Sequence, residues 1–123
     1  MKSLKSVFLW IVFIAMIASC KPKDAIVINV ADYGLKPGSK ENAITAIIKA
    51  LEECKKHPNS TLKFEKGRYD FSIDPTHTRE YFESNTTNDG PKNLAVLIEG
   101  FKGLTFDGGG SEFVFHGAIQ PIT

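Results

Sequence analysis

Three features are scarce in this chain of 123 residues: cysteine, an excess of charge of either sign, and apolar runs of membrane-spanning length. Two cysteines, Cys20 and Cys54, are too few for the disulfide framework of a small secreted domain. Fifteen basic residues against 14 acidic ones argue against the clustered positive charge with which proteins neutralise nucleic acid phosphates. The longest apolar run, from Val7 to Ala18, falls short of the ~20 residues of a membrane-spanning helix.

The amino-terminal residues have the pattern of a secretory signal. Lys2 and Lys5 precede the apolar run and small residues follow it, which is the order of a cleaved signal peptide. The run ends in the letters IASC at Cys20, which is typical of a bacterial lipoprotein whose cysteine is diacylated and becomes the first residue after cleavage. Several acyl chains anchor a protein stably where one chain does not. We therefore predict a signal peptide at residues 1–19, lipidation of Cys20 and a polar tether at residues 20–24.

This leader predicts export to the envelope of a bacterium. Cleavage removes two of the 15 basic residues, Lys2 and Lys5. The remaining 13 basic and 14 acidic residues give a formal net charge of −1. The near-neutral surface leaves the lipid as the predicted contact with the membrane, with no nucleic acid partner. Lys21, rather than an aspartate, follows the lipidated cysteine, which favours the outer membrane of a Gram-negative bacterium over retention at the inner membrane.

After the tether the chain predicts one strand, one helix and then only short strands. Ala25 to Val30 is rich in β-branched residues and predicts the first strand. Apolar residues from Ile44 to Cys54 recur at the spacing of one helical face, and a helix cap is expected near Ser39. The stretch from Asp74 to Asn93 is polar and predicts a long loop. The other predicted strands are Thr61 to Phe64, Arg68 to Ile73, Leu94 to Glu99, Leu104 to Asp107 and Glu112 to Phe115.

The order of these elements fits a stack of β-coils with a cap. The first coil of a solenoid exposes an apolar end that must be covered. The apolar face of residues 44–54 would cover it, and glycines such as Gly108 to Gly110 would supply tight corners between the strands. The elements alone leave a small α+β domain open, since it would use the same helix and strands.

Several segments carry a family resemblance. Ala31 to Gly34 (ADYG), the helix from Asn42 to Leu51, and Leu62 to Tyr69 (LKFEKGRY) resemble the opening of the pectate-lyase-like right-handed β-helix superfamily. Phe82 to Gly90 (FESNTTNDG) and Ile98 to Gly117 (IEGFKGLTFDGGGSEFVFHG) resemble glycoside hydrolase family 110. The resemblance implies a mainly β fold over residues 25–123, with an N-terminal cap helix and the first coils of a right-handed parallel β-helix, a truncated solenoid.

The resemblance also implies an activity for the parent protein. Family 110 contains exo-α-1,3-galactosidases that release terminal galactose from blood-group-B-type and linear glycans with inversion, so the expected partners are glycans with terminal α-galactose. The catalytic carboxylates are expected on central coils beyond Thr123, so this chain alone is expected to be inactive, and no cofactor or metal is expected. Two alternatives stay open: another β-helix polysaccharide-degrading enzyme (a pectin-type hydrolase or lyase), and a non-catalytic surface lipoprotein.

Most polar residues that could carry chemistry have a structural interpretation. Asp89 and Asp107 precede glycines and suit corner carboxylates that bond to backbone amides. Glu80 and Glu83 are expected to be solvated charges of the long loop, and Cys54 a small core residue. The remaining candidates are weak ones. They are His57, His77 and His116, which lack metal-ligand spacing, Tyr81 and Phe82 as sugar-stacking aromatics, and the glycosylation-like triplets at Asn59 and Asn85.

Overall fold

The computed structural model describes residues 24–81 and 90–123, so the predicted signal peptide, Cys20 and most of the tether lie outside the described residues. The described chain is mainly β with a single α-helix. In chain order its elements are β1 (Val27–Asn29), a 3-10 helix (Val30–Tyr33), α1 (Ile44–Lys56), β2 (Thr61–Lys63), β3 (Arg68–Ser72), β4 (Thr78–Tyr81), β5 (Gly90–Val96), β6 (Thr105–Asp107), β7 (Glu112–His116) and β8 (Ile119–Ile122). Within the described ranges, no helix is both long and apolar enough to cross a membrane.

The strands form three small sheets that are mostly parallel. The first sheet has the order β1-β2-β6, the second pairs β3 with β7, and the third has the order β4-β5-β8. Thr61 lies opposite Thr105 in the first sheet and Arg68 lies opposite Glu112 in the second, so both sheets pair strands at the same separation along the chain. Strands that follow each other in sequence therefore tend to belong to different sheets.

Helix α1 packs against strands of the first and third sheets. Its buried face consists of Ile44, Ile47, Ala50, Leu51 and Cys54, and it contacts β1, β2, β5 and the 3-10 helix. The predicted apolar face is thus confirmed, and the prediction of Cys54 as a core residue is confirmed because its side chain is buried.

The expected cap near Ser39 is wrong, since the helix begins after Ala43 and the amide of Ile44 bonds instead to Oδ1 of Asn42 at 3.3 Å. The same Asn42 side chain bonds to both backbone groups of Ser72, at 3.1 Å from the amide and 3.0 Å to the carbonyl. Asn42 therefore fixes the start of α1 to the end of β3.

Aromatic side chains fill the space between the sheets. Phe64, which follows β2, is fully buried, and so are Tyr69 and Phe71, because alternate residues of β3 point inward. The ring of Phe71 stacks on that of Phe115 at 4.8 Å between centroids and meets Phe113 edge to face at 5.6 Å. The aromatics of β7 are only partly buried, so apolar surface of the core remains accessible along that strand.

The polar stretch from Asp74 to Asn93 was wrongly predicted to be only a loop. It contains β4, which pairs antiparallel with β5, and β5 begins at Gly90 rather than at Leu94. Strand β4 lies at the edge of its sheet, and Thr78, Arg79 and Glu80 are exposed, so the strand carries no apolar alternation by which a sequence pattern could reveal it.

Candidate functional site

A buried carboxylate flanked by two exposed basic side chains lies on the outer face of β3 and β7. Tyr69 and Phe71 point into the core, so Arg68 and Asp70 point outward on the same strand. Arg68 donates to Asp70 through Nη2 at 2.8 Å and Nε at 3.1 Å, which is the two-pronged geometry of a strong charged pair. His116 lies at the end of β7, and its Nε2 is 2.7 Å from Oδ1 of the same aspartate.

The exposure of the three side chains differs sharply. The side chain of Asp70 is 7% exposed, whereas those of Arg68 and His116 are 48% and 50% exposed. The Arg68 guanidinium, and after it the His116 imidazole, lowers the pKa of the Asp70 carboxyl to about 2. Asp70 is therefore a permanent anion at neutral pH that cannot donate a proton as a general acid. Its role is to hold the guanidinium and imidazole in fixed orientations, from which both present hydrogen-bonding groups to solvent.

The other described acidic candidates have structural roles or lie alone on the surface. Oδ1 of Asp107 accepts a bond from the amide of Gly109 at 3.0 Å, which confirms the predicted corner carboxylate. Glu80 is exposed on β4.

Two further carboxylates are held by hydrogen bonds. Thr76 bonds to Asp74 through its amide and its hydroxyl, and both bonds lower the pKa of that carboxyl. Glu99 pairs with Arg79, whose Nη2 is 2.8 Å from Oε1, and this pair lowers the pKa of Glu99.

The histidines do not converge on one site. Nε2 of His57 contacts Oε1 of Glu53 at 3.1 Å near the end of α1, His77 precedes β4, and His116 belongs to the Asp70 cluster. In residues 24–81 and 90–123, no group of three or more His, Cys, Asp or Glu side chains could hold a metal ion.

Most of the remaining candidates are not part of the described structure. Cys20, Phe82, Glu83, Asn85 and Asp89 lie outside the described residues. Tyr81 is placed as the last residue of β4. Asn59 is part of a tight connection with a backbone φ of 60°, and its amide donates to the carbonyl of Lys102 at 2.8 Å.

A wide concavity lies over β5 and β8. Its volume is about 560 Å³, and the side chains around it include no carboxylate. The lining residues are Pro91, Lys92, Asn93, Ala118, Ile119, Gln120 and Pro121. Without a carboxylic acid and a carboxylate facing each other, this surface lacks the pair that glycoside hydrolysis requires.

Sequence reasoning missed Asp70, the centre of the cluster. The Arg-x-Asp alternation on one strand was visible, but its partner His116 is 46 residues further along the chain. Only the register that places Ser72 opposite His116 brings the imidazole to the carboxylate. In the sequence, His116 is only a weak candidate without metal-ligand spacing, and its contact with Asp70 was not predicted.

Comparisons with known proteins identify relatives of this chain. It is 53% identical over 97 residues to alpha-1,3-galactosidase B of Bacteroides thetaiotaomicron, 45% identical over 95 residues to alpha-1,3-galactosidase A of Shewanella woodyi, and 41% identical over 101 residues to alpha-1,3-galactosidase B of Phocaeicola vulgatus. These matches cover 77–79% of this chain but only 16–17% of each relative, so the chain spans about a sixth of the length of the curated relatives that it matches. No family model matches the chain. The chain is thus related, over most of its length, to part of the α-1,3-galactosidases, which confirms the resemblance to the N-terminal part of glycoside hydrolase family 110.

Proposed function

We propose that this chain is part of an exo-acting glycoside hydrolase that removes terminal α-1,3-linked galactose from glycans, including those of blood-group-B type, with inversion at the anomeric carbon. The observation that carries the proposal is the 53% identity over 97 residues to a protein named alpha-1,3-galactosidase B. Two further relatives, at 45% and 41% identity, bear the name alpha-1,3-galactosidase as well.

The role proposed for residues 25–123 is structural: a cap helix and the first coils of a right-handed parallel β-helix. Four observations support this architecture. Parallel pairing recurs between β2 and β6 and between β3 and β7, and the corners pair too, since the amide of Gly67 bonds to Oγ of Ser111, 44 residues away. Helix α1 lies against β1 and β2, where a cap would lie, and the partly buried aromatics of β7 are a surface on which a further coil could pack.

The catalytic carboxylates are proposed to lie in the part of the enzyme that this chain does not cover. Inverting hydrolysis needs a protonated carboxylic acid and a carboxylate about 6.5–9.5 Å apart, with room for a water molecule between them. Asp70, Asp74 and Glu99 have lowered pKa values because of their hydrogen-bonding partners, so none of them suits the role of the acid.

We propose that lipidation of Cys20 anchors the enzyme to the outer membrane of the cell envelope. The support for this proposal is the sequence of the leader: Lys2 and Lys5, the apolar run that follows them, and the IASC ending.

The test is an assay of the protein produced from its native locus, with whatever sequence follows Thr123. We expect release of galactose from an α-1,3-linked galactobioside and none from the α-1,4- and α-1,6-linked isomers. Proton NMR of the first product should show β-galactose, the inverted anomer. Cleavage of a pectin-type substrate instead, or release of the α-anomer, would overturn the proposal.

A further inference from the structure

Two adjacent apolar side chains at the start of β1 face solvent. Ile26 is 44% exposed, and Val27, the first residue of the strand, is 57% exposed. The described residues contain two other exposed large hydrophobic side chains, Ile73 and Ile122, which are far from this pair and from each other in the sequence. Single exposed hydrophobic residues are ordinary on a protein surface. The feature that distinguishes Ile26 and Val27 is therefore their position in the chain and in the sheet.

The residues paired with Val27 across the first sheet are uncharged. Val27 lies opposite Thr61, and Thr61 lies opposite Thr105, so these three side chains share one face of the sheet. Charged side chains begin on that face two residues further along, in the row that contains Lys63 and Asp107. Because a charged group is costly to remove from water, this end of the sheet is better suited to contact with an apolar boundary than the next row is.

The backbone at the start of β1 fixes the kind of contact that it can make. Strand β1 is at the edge of its sheet, with β2 as its strand neighbour. The carbonyl of Ile26 accepts from the amide of Thr61 at 2.8 Å, so alternation along the strand turns the backbone groups of Val27 towards the free edge. Unpaired backbone groups are not tolerated in the hydrocarbon of a bilayer, whereas water and polar headgroups satisfy them. A lipid contact here therefore lies at headgroup depth.

The short distance along the chain to Cys20 selects a lipid surface as the partner. Five residues separate Ile26 from Cys20, and an extended chain spans at most about 3.6 Å per residue, so an anchor at Cys20 keeps Ile26 within ~22 Å. The headgroup layer is itself ~5–8 Å deep. Such tethering raises the effective concentration of the pair at the bilayer, so a weak preference for the interface is sufficient. Two lysines and one aspartate precede Ala25 in the tether, so its charge does not oppose an anionic lipid surface.

We propose that Ile26 and Val27 contact the headgroup region of the membrane that carries the lipid anchor. The inference rests on the proposed lipidation of Cys20 and is independent of the galactosidase activity. It gives the anchored protein an orientation, because the sheet order β1-β2-β6 places β6 further from the bilayer than β1.

The experiment compares two labelled positions in the lipidated full chain. A cysteine that carries a nitrobenzoxadiazole fluorophore is introduced by Val27→Cys or, as the control, by Ile73→Cys. Both native side chains are exposed and Cys54 is buried, so labelling is selective. The protein is reconstituted in vesicles of phosphatidylethanolamine and phosphatidylglycerol that contain a lipid with a headgroup-level doxyl quencher. We expect blue-shifted, strongly quenched emission from position 27 and unchanged emission from position 73.

Variants and an anchoring assay separate the possible outcomes. Ile26→Ser should reduce quenching of the label at position 27, whereas Ile122→Ser, which changes another exposed side chain, should not. Vesicle flotation and mass spectrometry of the acylated chain report on lipidation separately. The contact is overturned, with lipidation intact, if the chain floats and the label at position 27 is quenched no more than that at position 73. A chain that is neither acylated nor floated contradicts lipidation and the contact together. The two labelled positions decide the question even if Ile26→Ser fails to fold.

Discussion

Gly109 and Gly110 form a matched pair that tests how closely two corners of the chain lie against each other. Both residues have left-handed backbone conformations, with φ of +60° and +70°, so an alanine at either position incurs a similar strain of about 1 kcal/mol. A Cβ atom at Gly110 would meet nothing within 4 Å. A Cβ atom at Gly109 would lie too close to the carbonyl oxygen of Phe64 and 3.4 Å from its carbonyl carbon.

The clash at Gly109 cannot be relieved by rotating a side chain. Phe64 is held through its backbone, since its amide donates to the carbonyl of Asp107 at 2.9 Å, so relief would require movement of the main chain. Overpacking of this kind costs about 1–3 kcal/mol. We therefore expect Gly110→Ala to lower the free energy of unfolding by about 1 kcal/mol and Gly109→Ala to lower it by about 2–4 kcal/mol.

Urea unfolding of the two variants, followed by circular dichroism, measures the difference directly. The effect of alanine on the unfolded chain is the same at adjacent glycines, so it cancels when the variants are compared. Equal losses for the two variants, or a larger loss for Gly110→Ala, would refute the close approach of the two corners.

Three further predictions concern the Asp70 cluster, the core and the anchor. Because the pKa of Asp70 is lowered from 3.8 to about 2, its contribution to stability is complete above about pH 4 and is lost as the pH falls through about 2; Asp70→Asn should thus be less stable than the wild type at pH 7 and lose less of its urea midpoint on acidification. Phe71→Ala should lower the free energy of unfolding by about 3–5 kcal/mol, because it empties a fully buried site against Phe115. Cys20→Ser should abolish incorporation of an alkyne-labelled palmitate in growing cells.

Each of these predictions has its own control and its own contrary result. Asp24→Asn removes an exposed carboxylate and should keep the acid sensitivity of the wild type, so an identical pH profile for Asp70→Asn would contradict the cluster. Ile73→Ala changes a side chain that is 44% exposed, and a loss as large as that of Phe71→Ala would contradict the proposed core. If palmitate labelling persists in Cys20→Ser and vanishes in Cys54→Ser, the lipid is on Cys54 and the predicted lipidation of Cys20 is contradicted.

Local sequence patterns predicted the elements that bury one apolar face in the core. Helix α1 was found because five buried residues from Ile44 to Cys54 share one face, and β3 because Tyr69 and Phe71 alternate with polar neighbours. Strand β4 was missed because it lies at a sheet edge and its polar residues give no alternation. Hydrophobic periodicity arises because one face of an element is buried, so an exposed edge strand shows no such pattern.

The candidate site was harder to predict from the sequence than the fold was. Asp107 precedes glycine, and this local signal was enough to predict its bond to the amide of Gly109. The Asp70 cluster depends on contacts between residues far apart in the chain, such as that of Asp70 with His116. Such contacts are determined by strand register and by the packing of the helix, neither of which a single sequence reveals.

The most direct test of the central claim is an exchange of segments between relatives. The residues of the Bacteroides thetaiotaomicron alpha-1,3-galactosidase B that align with this chain are replaced by the corresponding residues of this chain, and galactose release from an α-1,3-linked substrate is measured. We expect the chimera to melt cooperatively and to retain activity comparable to that of the parent, whereas deletion of the same segment should abolish it. A chimera that folds cooperatively but releases no galactose would contradict the assignment of this chain to the α-1,3-galactosidase scaffold.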